Sequence, residues 1–301
     1  MPFHIIVLPA STKAGRETIR TLLESESKPS VRGVYRDPSK APAEFVKNSN
    51  FEAVKGDVGN GKSLDFTGSN AVFYIPPPIY DGTHHQEWAT RTANNVKNAL
   101  QNAPTVKRLL ILSAIGSQNQ SGIGVLRLNH ISDEILKDSV PEVLIVRPSY
   151  FYEDFGHLLD AAKEDNPSIK SWITPIDFKI PMVGLKDIAE CCANSLQSEF
   201  TKPSPHYFKL FGPRFYSSID LKEAVEEVTG KKVELELVER DQLLDYWKGI
   251  VPEVYAQEFM DMTTAGLPGG VIAENFVYDD NTVKGRQELV DSLRNLYTKA
   301  D

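Results

Sequence analysis

Two cysteines in 301 residues are too few to staple a fold, and the two are neighbours. Cys191 and Cys192 sit in DIAECCANSL, an apparent helix where a bridge between adjacent residues would be strained. They read as reduced packing residues, which points to a cytoplasmic setting. No apolar stretch approaches the length of a membrane span. The N-terminus, MPFHIIVLPAS, has neither a basic segment nor a long apolar one, so no secretory signal is expected. Runs of Lys or Arg are missing as well, and 33 basic against 41 acidic residues give a net charge of −8. Nucleic acid and anionic membrane are therefore not expected partners. Internal repeats and low-complexity tracts are absent. What is present is ordinary, with 41% apolar and 25% charged residues, the balance of a soluble globular protein with a sizeable core.

Glycine is scarce where one motif should concentrate it. Residues 3 to 23, FHIIVLPASTKAGRETIRTLL, have the outline of a dinucleotide-binding strand, turn and helix. The G-x-x-G-x-x-G register falls on Pro9, Thr12 and Gly15, and only Gly15 keeps its glycine, at the place where helix and strand pack closely. Pro9 has no N–H to donate, and Thr12 adds bulk where a phosphate would sit. A helix N-terminus at these residues still favours an anion. Ser11 and Thr12 offer hydroxyls, and Lys13 and Arg16 bring positive charge. A second phosphate motif, GDVGNGKS from Gly56 to Ser63, matches G-x-x-x-x-G-K-[ST] letter for letter. It lacks the helix that such a loop must open, because SLDFT soon meets Gly68 and a new strand begins at Asn70. Nucleotide hydrolysis is not expected.

Strand-like and helix-like segments alternate through the first half. Strands are expected at 3–8, 31–35, 51–55, 70–75, 107–113 and 143–147, with helices at 15–25, 83–103 and 124–138. This is the pattern of an α/β, doubly wound parallel sheet whose ligand crevice lies at the carboxyl ends of the strands. Two domains are expected: residues 1–150 as a Rossmann domain, and 151–301 as a smaller mixed α/β substrate-binding lobe, partly packed back on the first. In the second half, strands are expected near 181–184, 206–211 and 233–238, helices near 186–198, 217–229, 239–249 and 252–265, a glycine-rich loop or lid at 263–271, and a last helix at 281–298.

Several segments in order, VRGVYRDPSK, VKGDVGNGKSLDFTGSNAVFYIPPP, EVLIVRPSYFYEDF, PMVGLKDIAE and HYFKLFGPRFYSSIDLKEAVEEVTGKKVE, resemble the NmrA-like family of atypical short-chain dehydrogenase/reductases. The resemblance implies a Rossmann fold and NADP(H), with Arg36 after the second strand as partner of the 2′-phosphate and Lys40 in support. It also implies that the proline loop, Pro76 and Pro77 included, lies against the nicotinamide half. The superfamily's usual acid, Tyr-x-x-x-Lys, is lacking, since no tyrosine here has Lys four residues later. In NHISDEILKDSVPE, Glu134 aligns with the family's glutamate, His130 replaces the lysine four residues before it, and Leu126 lies where a tyrosine would. His130 could contact a cofactor ribose or transfer a proton, because histidine titrates near neutrality. Ser113, at a strand end, matches the superfamily's substrate-side serine. Tyr152 is a further candidate acid, with aromatic core packing as its alternative. The adjacent His84 and His85 point in different directions on a helix, so no shared metal is expected.

The expected activity is an NADP(H)-dependent reductase or isomerase acting on a small, largely apolar carbonyl or enone. A non-redox isomerase or cyclase on the same scaffold stays open, as does a non-catalytic NADP(H)-sensing regulator with a protein partner.

Overall fold

Parallel strands buried on both faces need continuous apolar runs, and the first half of the chain supplies them. The computed structural model describes residues 3–300, and the side chains of 3–298; the ends of the expected domain ranges, Met1 and Asp301, lie outside the described residues. Strand β1 (His4–Leu8) leads to α1 (Lys13–Glu24), β2 (Ser30–Tyr35), α2 (Ala43–Val46) and β3 (Phe51–Lys55). The chain then crosses back to β4 (Ala71–Tyr74), α3 (His85–Gln101), β5 (Arg108–Leu112), α4 (Arg127–Leu136) and β6 (Glu142–Pro148). Every residue of β4 and β5 is buried. β1 pairs in parallel with β2 on one side and with β4 on the other, Ile6 facing Arg32 and Val72.

The chain continues through β7 (Tyr150–Phe151), α5 (His157–Ala161), β8 (Ser168–Ser171), β9 (Ile180–Val183), α6 (Leu185–Gln197), β10 (His206–Phe211), β11 (Phe215–Tyr216), α7 (Ser218–Thr229) and β12 (Glu234–Leu237). It ends with α8 (Leu243–Lys248), α9 (Glu253–Ala265), β13 (Thr282–Lys284) and α10 (Leu289–Ala300). The large sheet has eight strands in the order β13-β10-β6-β5-β4-β1-β2-β3. Its reversal of direction between β1 and β4 is the switch point where doubly wound sheets bind ligands. A three-stranded sheet, β11-β9-β7, and a parallel pair, β12-β8, complete the set.

Two compact units are present: Met1–Ser117 with Arg127–Arg147 and Ile188–Phe208, and Gln118–Leu126 with Pro148–Asp187 and Lys209–Asp301. The expected single break at 150 is thus replaced by several crossings. In the first unit, Ile6, Leu8, Val72, Tyr74, Val96, Leu109 and Ile145 share one core. In the second, Tyr152, Trp172, Met182, Tyr216, Leu221 and Leu293 share another. Among the described residues no helix is long and apolar enough to cross a membrane.

One expected element is corrected. The stretch 281–298 is not a single helix. Thr282–Lys284 pairs with β10, the Gly285 amide donates to the Phe211 carbonyl at 2.7 Å, and Asp187 takes the amides of Arg286 and Gln287 at 3.0 Å. Those amides are spent before α10 can begin, so the helix starts only at Leu289. The segment 239–249 likewise splits into a 3-10 turn and the short α8.

Arg108 stabilises the first unit in a way no periodicity reveals. Only 7% exposed, it donates to the carbonyls of Ser195, Leu196 and Ser198 at 3.1, 3.0 and 2.6 Å and to Glu142 at 2.8 Å. A cation thus closes the carbonyl end of α6, where the helix dipole favours it. We expect Arg108→Ala to lower unfolding free energy by about 3 kcal/mol, the cost of orphaning a buried partner. Urea denaturation of the two proteins checks this, and a loss below about 1 kcal/mol, the level of an exposed pair, would contradict it.

Candidate functional site

The turn after β1 holds its shape without its glycines. The Ala10 amide donates to the Val34 carbonyl at 2.9 Å. Thr12 caps α1: its hydroxyl accepts from the Gly15 amide at 3.0 Å and donates to the Pro9 carbonyl at 3.1 Å. Threonine at this point is therefore a helix cap. Gly15 lies beneath the turn, and a Cβ there would stand 2.7 Å from the Pro9 carbonyl and 3.2 Å from Ile75. The amides of Ser11, Thr12 and Ala14 have no acceptor among the described residues, so the start of α1 retains donors for an anion.

These residues edge a cavity of about 440 Å³ at the carboxyl ends of the first four strands. Pro9, Ser11 and Thr12 line it after β1, Val34 and Arg36 at the end of β2, Gly56 to Val58 after β3, and Pro77 to Asp81 after β4. Trp88 joins the last two loops. Its indole N–H donates to the Pro77 carbonyl at 2.7 Å, its ring packs so closely on Gly59 that a Cβ there would come within 2.6 Å, and the Arg91 guanidinium lies 5.0 Å from the ring centre. Buried His85 holds the same proline loop through the Ile79 carbonyl, 2.8 Å from Nε2. The segment 56–63 is followed by no helix, so its phosphate-loop letters lack the helix N-terminus that would use them.

The expected cofactor residues divide. Ser11, Thr12, Arg36 and Pro77 line one cavity. Lys13 and Lys40 are exposed outside its lining, and Pro76 is buried. Arg36 is exposed and makes no ion pair among the described residues.

A second cluster forms where β5 ends. Asp133, 1% exposed, accepts on Oδ2 from the hydroxyls of Ser113 at 2.8 Å and Ser117 at 2.9 Å. The Arg147 guanidinium stands farther off, at 3.4 Å, over the Tyr207 ring. Oδ1 of Asp133 and Nε of Arg147 are buried without partners. His130 joins through Nδ1, 2.8 Å from the Ser117 carbonyl. The structure thus brings Ser113 and His130 together, through Ser117 and Asp133, which sequence reasoning had not singled out. The one available signal was a charged residue on the buried stripe of α4, beside Leu128, Ser132 and Leu136. Leu126 ends the 3-10 turn that precedes this helix.

Tyr152 is placed differently from the expectation of an acid. It is fully buried in the core of the second unit, its hydroxyl bridging Tyr216 at 3.0 Å and the Gln287 carbonyl at 3.1 Å. Burial pushes its ionisation far above the ordinary tyrosine value. Such a hydroxyl holds chain segments together and has no proton to spare near neutrality.

Burial also pushes the Asp133 carboxyl up to about 6, against the pull of the Arg147 charge and the two serine hydroxyls. The folded state therefore holds this proton between pH 4 and 6, where the unfolded chain has lost it. Stability contributed by the proton is present below about pH 4 and gone above about pH 6, a loss of about 3 kcal/mol. We expect Asp133→Asn, which cannot titrate, to lack that fall. Parallel urea denaturation at pH 4 and 7 measures it, and equal slopes in the two proteins would contradict it.

Known proteins place this geometry. Agroclavine dehydrogenase of Claviceps purpurea is 29% identical over 216 residues, 68% of each chain. The photosystem II assembly factor Ycf39 of Cyanophora paradoxa is 23% identical over 236 residues, 77% of this chain and 70% of that one. An NADPH-dependent quinone oxidoreductase of Escherichia coli, solved with NADPH, shares the fold at 17% identity with a TM-score of 0.76, covering 98% of this chain and 100% of its own. Residues 10–199 match the family described as NAD(P)H-binding, which takes in the β1 turn, the cavity and the Ser113–Asp133 cluster, and the chain belongs to that family.

Proposed function

We propose that this protein is an NADP(H)-dependent reductase acting on a small, largely apolar carbonyl or enone. The observation that carries the proposal is Arg36: a cation without an ion pair among the described residues, at the end of β2, on the wall of a cavity that Ser11 and Thr12 at the α1 N-terminus also line. An acidic residue there would select NAD(H) through the ribose hydroxyls, whereas an arginine fork suits a 2′-phosphate. The donor set fits the dinucleotide. Ser11 and the amides of Ser11, Thr12 and Ala14 would hold the pyrophosphate, Arg36 the 2′-phosphate, and Asp57 with Trp88 the adenine end. The proline loop would stiffen the wall beside the nicotinamide.

When bound, the cofactor supplies a hydride to the substrate carbon. The protein then supplies a proton and position. His130 holds one proton at Nδ1 against the Ser117 carbonyl, so the proton supplied would be the second one of the imidazolium form, passed from Nε2 to the substrate oxygen or carbanion and leaving the ring neutral. Ser113 orients the group that takes it. Cys191 and Cys192 are in the reduced state, which favours a reducing compartment, so the cytoplasm is the proposed location. A second reading, an NADP(H)-occupied regulator without turnover, draws on the Ser113 hydroxyl, which is already donated to Asp133.

Calorimetric titration with NADPH and NADH tests the cofactor assignment. Arg36→Ala should weaken NADPH by about tenfold or more, equivalent to about 1.4 kcal/mol, and leave NADH unchanged. Equal losses for the two would refute the phosphate contact. Consumption of NADPH with a panel of quinones and enones separates the enzyme from the regulator, for which binding without turnover is expected.

A further inference from the structure

We propose that Asp133 is a positioning residue for His130: by gathering Ser113 and Ser117 on one carboxylate oxygen it fixes the Ser117 carbonyl as acceptor for His130 Nδ1–H, so that Nε2 faces the reaction. The inference rests on the reading of His130 as proton carrier, and it assigns a role to a residue that contacts no cofactor.

Distances decide what the carboxylate is for. Its bonds to Ser113 and Ser117 are 2.8 and 2.9 Å, ordinary lengths for hydroxyl hydrogen bonds. The Arg147 contact is 3.4 Å and reaches the same Oδ2. An ion pair built for Arg147 would use both carboxylate oxygens in a fork, yet Oδ1 has no partner and neither does Arg147 Nε. The carboxylate is therefore aimed at the serines. Ser117 is held at both ends: its hydroxyl goes to Asp133, and its amide donates to the Ala114 carbonyl at 3.1 Å. With side chain and amide held, the Cα of Ser117 and the carbon of its carbonyl are held too, which leaves only rotation about the Cα–C bond to aim the oxygen at His130. A carbonyl can only accept, so the neutral imidazole 2.8 Å away must carry its hydrogen on Nδ1. The other charged or titratable groups near Asp133 are Arg147 on β6, Tyr207 on β10 and Glu134 beside it on α4. None of them is hydrogen-bonded to the imidazole.

Long-range ¹H–¹⁵N correlation of the histidine rings in the cofactor-free protein at pH 8 tests the assignment, with His130 identified by its loss in His130→Gln. The wild-type ring should be in the Nδ1–H form. In Asp133→Ala and Ser117→Ala that form should fall from the major to the minor species, while Asp133→Asn, which keeps an oxygen for the serines, should retain more of it. A wild-type ring in the Nε2–H form overturns the proposal, and so does an unchanged ring in folded Ser117→Ala. If Asp133→Ala does not fold, Ser117→Ala and Asp133→Asn carry the comparison. Because no cofactor is present, the outcome is independent of NADPH binding. Failure of NADPH to bind would sink the cofactor assignment alone, and an unchanged ring in folded Ser117→Ala would sink the positioning role alone.

Discussion

The approach of α1 to the exit of β1 is the constraint on which the site depends. At Gly15 there is no room for a methyl group, because the Pro9 carbonyl, the Thr12 hydroxyl and Ile75 all lie within 3.2 Å of where it would be. Overpacking of this kind costs about 1–3 kcal/mol, and here it would fall on backbone, which has little room to yield. Only with the helix this close do its first amides reach the carboxyl edge of the sheet. The three glycines of the motif therefore do separable jobs. The one retained keeps helix and strand in contact. The two replaced governed the turn and the approach of a phosphate, and the chain has found other means for the turn. Pro9 offers its carbonyl, which needs no N–H, and Thr12 uses its hydroxyl as a cap. What has changed is how closely a pyrophosphate could approach, which is why the proposed cofactor site leans on side chains such as Ser11.

Asp133 shows the opposite economy. A carboxylate held by two hydroxyl hydrogen bonds and a nearby guanidinium would ordinarily ionise more readily than in water. Its affinity for a proton is instead raised, because burial outweighs all three favourable contacts. Ionised, this carboxylate stabilises the fold less than its protonated form does, so its hydrogen bonds are better read as positioning than as a source of stability. The geometry shows what is positioned: three chain segments, the end of β5, the turn at Ser117 and helix α4, converge on one oxygen. Replacing it with an apolar residue would remove the buried charge and also remove what keeps those segments in register.

How much of this the sequence disclosed follows from the range of each interaction. The parallel strands were legible because burial on both faces leaves unbroken runs such as LLIL in β5 and AVFY in β4. Gly15 and Arg36 were legible because their meaning depends on position relative to the neighbouring strand. Lys13 and Lys40 looked equivalent to Arg36 as nearby charge, but whether a side chain faces a cavity is set by backbone direction, which local sequence does not specify. Asp133 showed only as a charge on the apolar stripe of α4, and what it binds was hidden because its partners lie 16 and 20 residues away. Tyr152 failed as an acid for a related reason, since an aromatic after a strand reads alike whether its hydroxyl meets solvent or, as here, Tyr216 and Gln287. The strand Thr282–Lys284 was lost inside a helical pattern because only its pairing with β10 and the grip of Asp187 on the following amides reveal it.

A binding site assembled from amides and one exposed cation tolerates change in the sequence that frames it. Proton chemistry does not, because one atom must carry one hydrogen at one place. That difference explains how the superfamily's tyrosine and lysine can be missing from a chain whose sheet and cavity are intact. A lysine at the position of His130 would present an ammonium group, a donor with no acceptor atom while it is charged. A histidine anchored at Nδ1 has a single atom, Nε2, whose hydrogen comes and goes, and its charge comes and goes with it. On the proposed reading of His130, one ring would take over two functions that the lysine and tyrosine divide between them, electrostatic contact and proton transfer. Such a ring is useful only if its orientation is held. The orientation is held by a serine carbonyl, and the serine by a buried carboxylate.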